Sequence, residues 1–439
     1  MCIKKGFVLV LFALWISFFL FSTQAWALES DGFEYNIKDG EATITKYIGN
    51  AGKDIDVNVP SVLSGCPVTV FGGGDEVFKW GTTLHHVILP DTVIKIGKSA
   101  FRSTNIEEIT ISNQLQVIEK NAFLKGAFKS IILPNTLKEI GEAAFDHADI
   151  ANIVIPDSVT DIGNFVFYFS SITSCQMSAG VKKIPNGAFQ HSKLENIVLK
   201  DGLESIGDAA FANCRKLKRV DVPLSVNSMG NHVFNECDSL EYVNIPYGVT
   251  RIGVRAFDGC RSLKELIIPH SVTKIDVYAF WGCRSLTSLI IPDSVTNISD
   301  EIIRDCDNLE SVIVPSSVVE GKFFDGSGCP KMIVYVKSGS YAEQMAKKKS
   351  KLSVIVDDSV DQIASRNQET PIISSSEPVW KQDSFGWWLE RPDGSYLANE
   401  WYQNPSNGLW YYMGPDGYML TNTTTPDGYW VNSDGAMTQ

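Results

Sequence analysis

The sequence predicts a β-rich solenoid, a rod of stacked coils with one parallel sheet, and two observations support that prediction. Between residues 213 and 330, six cysteines recur every 23 residues, and a proline and a phenylalanine keep the same interval. A domain built around a single core has no reason to hold three residue types in one register, whereas a repeat array does. The length of 439 residues fits, because an array grows along one axis without enlarging its core.

Each repeat unit predicts one short strand. The unit from Leu263 to Cys283 reads Leu-x-x-Leu-x-Ile-Pro-x-x-Val-x-x-Ile-x-x-x-Ala-Phe-x-x-Cys. The strand should end at the proline, which lacks the N–H that a ladder needs. Its first and third residues should point inward and its middle residue outward. Earlier units keep the same pattern at an interval of 22 residues, and we count about eleven coils.

The first 27 residues predict a secretory signal. Lys4 and Lys5 precede an apolar run at 7–21, and Ala25-Trp26-Ala27 is typical of a cleavage site. An uncleaved anchor helix is the alternative, but the apolar run is short for one. Removing the two lysines leaves 36 Lys+Arg against 51 Asp+Glu, a net charge of −15. So acidic a chain is a poor nucleic-acid binder, and no later run is apolar enough for a transmembrane segment.

Changes of pattern divide the chain into six segments. Solenoids need caps at both ends, because a terminal coil would otherwise expose its core. We expect a capping helix at residues 340–349 and a closing strand at 352–356. The segments are a signal peptide at 1–27, an N-terminal cap at 28–65, the solenoid at 66–336, a C-terminal cap at 337–358, a linker at 359–379 and an aromatic module at 380–439.

The recurring cysteines are predicted to be buried thiols. Disulfides are the default in an exported protein. Here, however, six cysteines take the same place in successive coils, where each thiol can act as a small apolar filler. Since neighbouring coils are about 4.8 Å apart, disulfides between them are the open alternative. No histidine or second cysteine shares that place, so we expect neither a metal site nor a cofactor.

The repeat resembles the BspA-like leucine-rich repeat over roughly residues 60–335. Its Ile-Gly-x-x-Ala-Phe motif recurs in register at 96–101, 140–145, 206–211 and 252–257. The resemblance implies a leucine-rich repeat fold and a bacterial surface protein. Its partners would be host matrix proteins or bacterial surface proteins.

The last 60 residues have a different composition, rich in tryptophan and tyrosine. Pro-Asp-Gly turns at 392–394, 415–417 and 426–428 separate the aromatic runs, which predicts β-hairpins. So short a segment cannot bury every ring, and exposed rings form a candidate binding site. The candidate wall-ligand residues are Trp387, Trp388, Trp401, Trp410, Tyr411, Tyr412, Tyr418, Tyr429 and Trp430.

This tail resembles the cell-wall-binding repeat of the choline-binding type. The best unit runs from Trp401 to Met419 and contains Gly408-Leu409-Trp410-Tyr411-Tyr412. In that family, aromatic side chains of consecutive repeats enclose a quaternary ammonium group through cation–π attraction. A wall glycan or another wall polymer is the alternative ligand, since Glu400 replaces the usual glycine and only about two and a half units are present.

A second candidate surface lies on the outward face of the predicted sheet. Isoleucines occupy three consecutive outward positions there, where water is expected. Strand propensity alone, or cover by the tail, would also explain such a stripe. The candidate protein-binding face consists of Tyr242, Asn244, Glu265, Ile267, Ser288, Ile290 and Ile313.

No pattern of catalytic residues is present in the sequence. The six histidines are scattered over different coils, and no nucleophile elbow or His-Glu-x-x-His motif occurs. We therefore predict a secreted protein of the cell wall and cell surface, acting in adhesion or recognition, and no enzyme. An accessory to a wall-directed hydrolase and a structural surface-layer component are the alternatives.

Overall fold

The chain forms two compact units, Met1–Ala364 and Ser365–Gln439. The predicted signal peptide and residues 367–378 of the predicted linker lie outside the described residues. No described helix is long and apolar enough to cross a membrane. The computed structural model describes residues 28–74, 76–299, 301–321, 326–349, 352–366, 379–382, 387–390, 397, 400–403, 409–414, 418–425, 429–433 and 435–438.

Strands close the N-terminal end, within the predicted cap at 28–65. β1, β2 and β3 pair antiparallel, and Phe33, Tyr35 and Ile44 are buried beneath them. β3 then pairs in parallel with β6, so coil-to-coil pairing begins inside the predicted cap. These strands are β1 (Leu28–Ser30), β2 (Phe33–Lys38), β3 (Glu41–Tyr47), β4 (Asp56–Asn58), β5 (Val62–Leu63) and β6 (Cys66–Phe71).

The solenoid strands are short, because each coil turns within a few residues. They are β7 (Thr83–Ile88), β8 (Lys95–Ile96), β9 (Asn105–Thr110), β10 (Val117–Ile118), β11 (Ala127–Phe128), β12 (Glu139–Ile140), β13 (Asn152–Val154), β14 (Asp161–Ile162), β15 (Ser174–Gln176), β16 (Lys183–Ile184), β17 (Asn196–Val198), β18 (Ser205–Ile206), β19 (Arg219–Val220), β20 (Ser228–Met229), β21 (Tyr242–Val243), β22 (Arg251–Ile252), β23 (Lys274–Ile275), β24 (Phe280–Trp281), β25 (Ser288–Ile290), β26 (Asn297–Ile298), β27 (Ile303–Arg304), β28 (Ser311–Val314) and β29 (Glu320–Gly321).

The β-solenoid is confirmed, but the prediction of one parallel sheet is incomplete. Predicted strands before the proline position pair in parallel, as in β13-β15-β17, but residues 131–133 and 266–268 form no strand. A second parallel ladder runs through the Ile-Gly positions, in the order β6-β8-β10-β12-β14. Glycine permits this close approach: a Cβ on Gly141 would lie 2.5 Å from the backbone nitrogen of Lys120. The structure has about fourteen turns rather than eleven, because the end coils lack the sequence motif.

The interior follows the repeat. In the strand at 153–155, Ile153 and Ile155 are buried while Val154 is 58% exposed, as the inward–outward alternation predicts. Nine successive ring pairs, from Phe71–Phe101 to Phe257–Phe280, stack with centroids 4.9–5.9 Å apart and planes within 21°. One column of rings therefore runs along the axis.

The six recurring cysteines are buried thiols, which confirms the preferred prediction over disulfides. They are Cys214, Cys237, Cys260, Cys283, Cys306 and Cys329. The Sγ of Cys260 donates to the backbone oxygen of Phe234 at 3.2 Å, and Cys283 donates to Phe257 at the same distance. The first five thiols each fill space and donate to a phenylalanine carbonyl of the preceding coil, whereas Cys329 donates to the Ser327 oxygen of its own turn.

The C-terminal end matches the predicted strand, helix and closing strand. Ser340 caps α1, and its hydroxyl accepts from the Glu343 nitrogen at 3.1 Å. Residues 360–366, assigned by the sequence to the linker, instead form α2, with Val360 and Ala364 fully buried. The Asp361 carboxylate accepts from the Ser316 nitrogen at 2.8 Å, a contact that no local pattern reveals. The elements are β30 (Ile333–Val336), α1 (Tyr341–Lys347), β31 (Ser353–Val356) and α2 (Val360–Arg366).

The aromatic unit consists of hairpins, as predicted, although the Pro-Asp-Gly turns at 392–394, 415–417 and 426–428 lie outside the described residues. β32 pairs with β33 and β34 with β35, both antiparallel, and β36, β37 and β38 form a third small sheet. A core of its own contains Leu389, Leu397, Tyr411, Met413 and Ala436. The strands are β32 (Val379–Gln382), β33 (Trp387–Glu390), β34 (Glu400–Gln403), β35 (Trp410–Met413), β36 (Thr423–Thr424), β37 (Trp430–Val431) and β38 (Met437–Thr438).

Candidate functional site

The β34–β35 hairpin sorts the tail aromatics onto two faces. Trp401 lies opposite Tyr412, and Tyr402 lies opposite Tyr411. Directly opposed residues of an antiparallel pair share a face, and neighbours along a strand take opposite faces. Because of this register, Tyr411 and Met413 pack in the tail core, and Trp401 and Tyr412 lie together on the opposite face of the hairpin.

Three rings from consecutive hairpins meet on that other face. The centroids of Trp401 and Tyr412 are 5.2 Å apart with planes at 74°, and those of Trp401 and Tyr429 are 5.9 Å apart at 86°. Tyr429 directly precedes β37 and is 53% exposed. We call Trp401, Tyr412 and Tyr429 the aromatic corner. Ring faces carry the negative part of the aromatic quadrupole, so a corner of this kind can attract a cation.

The other candidate wall-ligand residues divide into two groups. Trp387, Trp410 and Trp430 are exposed, and Tyr418 is half-buried. The side chain of Trp388 lies outside the described residues. Tyr411 is corrected: it is only 9% exposed and packs in the tail core. Tyr412 is corrected as well: it is 7% exposed and packs against Trp401 on the opposite face, so half-buried Trp401 and exposed Tyr429 are the accessible rings of the aromatic corner. The sequence did not separate these neighbours, since all three positions are aromatic.

The predicted protein-binding face does point outward on the solenoid. Ile267 is 55% exposed, Glu265 and Ser288 are exposed, and Ile290 and Ile313 are half-buried. Ile290 lies opposite Ile313 in the parallel ladder. Strand alternation thus places Ile290 and Ile313 outward in one stripe, whereas residues 263–269 form no strand and Ile267 is exposed from irregular backbone.

Asn244 is corrected as a member of this face. Its side-chain oxygen accepts from the Val222 nitrogen at 2.7 Å, and its amide nitrogen donates to the Val222 oxygen at 2.7 Å. The side chain replaces ladder bonds between two coils, so its polar atoms are already used. Tyr242 is half-buried and lies under the Arg219 guanidinium at 4.0 Å.

Two outward residues were missed by the sequence analysis. Tyr335 lies opposite Ile313, and Ile355 lies opposite Tyr335. The repeat motif ends at Cys329, so no slot could be assigned to them. The stripe therefore continues into the C-terminal cap.

A shallow groove of about 380 Å³ crosses the early coils. Ile106 and Phe128 lie among its lining residues, and Glu107 accepts from Lys129 at 2.9 Å beside them. That hydrogen bond lowers the pKa of Glu107 and raises the pKa of Lys129, so the two charges are paired. Among the described residues, no group of three His, Cys, Asp or Glu side chains is placed to hold a metal.

The solenoid and the aromatic tail each match a known family of repeats. Residues 70–167, 116–241 and 227–346 match the BspA type leucine rich repeat region, in six copies. The chain belongs to the BspA-type leucine-rich repeat family. Residues 395–437 match the choline-binding repeat. Together the repeat family and the choline-binding repeat indicate a cell-surface, wall-associated protein.

Several solved structures are similar to this chain. A leucine-rich repeat protein from Bacteroides ovatus is 23% identical, with 76% of this chain and 100% of that chain covered and a TM-score of 0.47. A leucine rich cell surface protein from Faecalibacterium prausnitzii is 25% identical, covering 75% and 97%, with a TM-score of 0.41. The pneumococcal vaccine antigen PcpA is 17% identical, covering 76% and 98%, with a TM-score of 0.47. No curated protein matches the chain.

Proposed function

We propose that this chain is a secreted adhesion or recognition protein, which its aromatic tail holds non-covalently on the cell wall. The aromatic corner carries the proposal. Trp401 and Tyr412 come from one hairpin and Tyr429 from the next, as a ligand cage between consecutive repeats requires. The choline-binding repeat that matches residues 395–437 supports a wall polymer as the ligand.

The chemistry of the corner favours a quaternary ammonium group on that polymer. Such a cation holds its water weakly and gains cation–π attraction from several rings at once. Rings that meet nearly at right angles can approach one compact cation from different sides. A wall glycan is the other candidate, since sugars also pack against exposed aromatic rings.

Retention on a choline-substituted resin tests the anchor. Tyr429→Ala and Trp401→Ala in the full chain should each weaken retention by about 2-fold to 30-fold, the range of one cation–π contact. Trp80→Ala is the matched control, because Trp80 is an 80% exposed ring of the solenoid unit. Retention of both tail variants at the wild-type level would exclude the aromatic corner.

Purified cell walls separate the two ligands. If choline is recognised, free choline should elute the wild-type chain from walls. If the glycan is recognised, the chain should stay bound in free choline and should also bind walls stripped of choline-bearing polymers. A chain lacking residues 380–439 that still binds walls as well as the full chain would refute the anchoring role.

We propose a second role for the solenoid, the binding of a host or bacterial surface protein through its outward face. The supporting observation is the apolar stripe formed by Ile267, Ile290 and Ile313. Apolar side chains in adjacent outward positions mark interaction sites more often than scattered ones do.

Charge introduction tests this face. Ile267→Glu with Ile290→Glu should abolish capture of matrix or bacterial surface proteins while the unfolding transition stays in place. Leu224→Glu is the control, because Leu224 is 75% exposed and lies away from the stripe in sequence. Unchanged capture by the double variant would rule out the outward face.

A further inference from the structure

The last strand of the solenoid leaves the end of the core uncovered. Three valines occupy the same inward position in successive strands: Val314 in β28, Val336 in β30 and Val356 in β31. Val314 and Val336 are fully buried, but Val356 is 42% exposed, although α1 and α2 belong to the same end of the array. A terminal coil without cover is an apolar surface that gains free energy when another surface removes it from water.

Both ends of the solenoid also have an unpaired strand edge. At the C-terminal end, β31 pairs with β30, and no described strand lies on its other side. At the N-terminal end, β4 pairs with β7, and its other side likewise meets no described strand. Pairing between coils is parallel at both ends, so β4 of a second copy has the strand direction that the edge of β31 requires. An open edge presents N–H and C=O groups to such a strand.

The two ends carry opposite charge. Residues 28–65 contain seven Asp and Glu against three Lys, a net charge of −4. Residues 337–358 contain five Lys against three Asp and Glu, a net charge of +2, in a chain whose overall charge is −13. Opposite charges attract the two different ends, and like charges oppose contact between two identical ends.

Several of these charges are available for a contact between chains. Glu29 and Asp54 are exposed at the N-terminal end, and neither pairs with a described cation. Lys348 is exposed and Lys349 is half-buried at the C-terminal end, and neither pairs with a described carboxylate. These four side chains can therefore form ion pairs across an interface without breaking existing ones.

The N-terminal end offers apolar side chains as well. Leu28, Ile37 and Ile48 are exposed in the predicted cap, so this end can cover the apolar surface at Val356. Apolar area supplies the driving force of such a contact, and the charges select which ends meet.

We propose that the solenoid binds a second copy of this chain end to end, the C-terminal end of one copy against the N-terminal end of the next. The parallel ladder then continues from β31 of one copy into β4 of the next. Because the contact joins two different surfaces, it repeats and builds a filament instead of closing as a dimer. This self-association does not rest on the proposed wall anchor or on the proposed binding of other proteins.

Sedimentation velocity on the full chain tests self-association. The wild-type chain should sediment faster as its concentration rises through the micromolar range. High salt should weaken the association, because it screens the charges at the two ends. A wild-type chain that stays monomeric would overturn the proposal, and this is the result to expect if another segment of the same chain covers Val356.

Two double variants tie the association to the ends. Lys348→Glu with Lys349→Glu removes the positive charge of the C-terminal end, and Glu29→Lys with Asp54→Lys removes the negative charge of the N-terminal end. Each variant alone should associate at least about tenfold more weakly than the wild-type chain. Their equimolar mixture should associate again, since one variant keeps the wild-type N-terminal end and the other keeps the wild-type C-terminal end.

The matched control reverses two lysines within the solenoid. Lys218→Glu with Lys264→Glu changes the net charge as much as the C-terminal variant does, at exposed positions away from both ends in sequence, and should leave association at the wild-type level. An equal loss in this control, or a mixture of the two end variants that stays monomeric, would show that the ends do not bind each other.

Discussion

Aromatic rings are arranged differently in the two units of this chain. In the solenoid, the Phe column stacks with planes within 21°, and its rings are less than 2% exposed. In the tail, Trp401 meets Tyr412 and Tyr429 at 74° and 86°, and Tyr429 is 53% exposed. Parallel stacking uses both faces of a ring for packing, whereas the edge-on arrangement leaves part of a ring face uncovered.

Chain geometry causes this difference. A solenoid repeats one backbone conformation, so the same slot in each coil holds its ring in nearly the same orientation. A hairpin instead places rings across a strand pair and on the following turn, where orientations differ. The number of aromatic residues in a segment therefore does not tell whether its rings pack a core or lie at the surface. Three predictions test this difference between the units.

Loss of one ring from the column should have the largest effect. Phe189 is fully buried between Phe167 and Phe211, at 5.3 and 5.6 Å. Phe189→Ala should lower the free energy of unfolding by about 3–5 kcal/mol, because it leaves a cavity in a rigid stack. Urea unfolding followed by circular dichroism measures this value. Leu224→Ala, at an exposed position, should change the free energy of unfolding by less than about 0.5 kcal/mol. A similar loss in both variants would contradict a stabilising role for the Phe column.

Within the tail, two tyrosines should respond differently. Tyr411 is in the tail core and Tyr429 is largely exposed. Tyr411→Ala should destabilise the tail by about 2–4 kcal/mol. Tyr429→Ala should leave the tail stability within about 0.5 kcal/mol and reduce only ligand retention. Tryptophan fluorescence during unfolding, measured after Trp80 and Trp281 of the solenoid are replaced by Phe, reports the tail. Equal destabilisation by the two substitutions would contradict the assignment of Tyr411 to the core and Tyr429 to the surface.

The smallest effect concerns the thiols beside the Phe column. Burial raises the pKa of Cys214 to about 12, while the unfolded thiol keeps its ordinary value near 9. Above pH 9 the unfolded state releases this proton and the native state retains it, so stability falls as pH rises. The loss should be about 1 kcal/mol per thiol between pH 8 and pH 10. Cys214→Ala should remove that part of the slope, and parallel curves for the two proteins would argue against a buried thiol.

Much of the fold could be predicted because the same residue types recur at the same positions of successive coils. Strands before several of the prolines, the inward Ile153 with the outward Val154, and the capping helix at 341–347 agree with the pattern. The second ladder was missed because its strands, such as Val117–Ile118, have only two residues and show no alternation. α2 was missed because Asp361 acts through Ser316, 45 residues away in sequence.

The candidate sites were predicted only in part. The sequence placed the tail aromatics in hairpins, but it could not assign Tyr411 to the core and Tyr412 to the other face. On the solenoid, the outward stripe followed from the period, whereas Tyr335 and Ile355 lay beyond the last motif.

The sequence by itself determined which side chains face inward, because a fixed interval places each residue type at one position of every coil. Tertiary structure alone decided how rings are oriented and which lie at the surface. Orientation depends on neighbours that are distant in sequence, as when Gly187 makes room for Phe165 or the hairpin register brings Trp401 to Tyr412. Periodicity fixes position along and around the axis, but contacts between coils and hairpins fix the geometry on which binding depends.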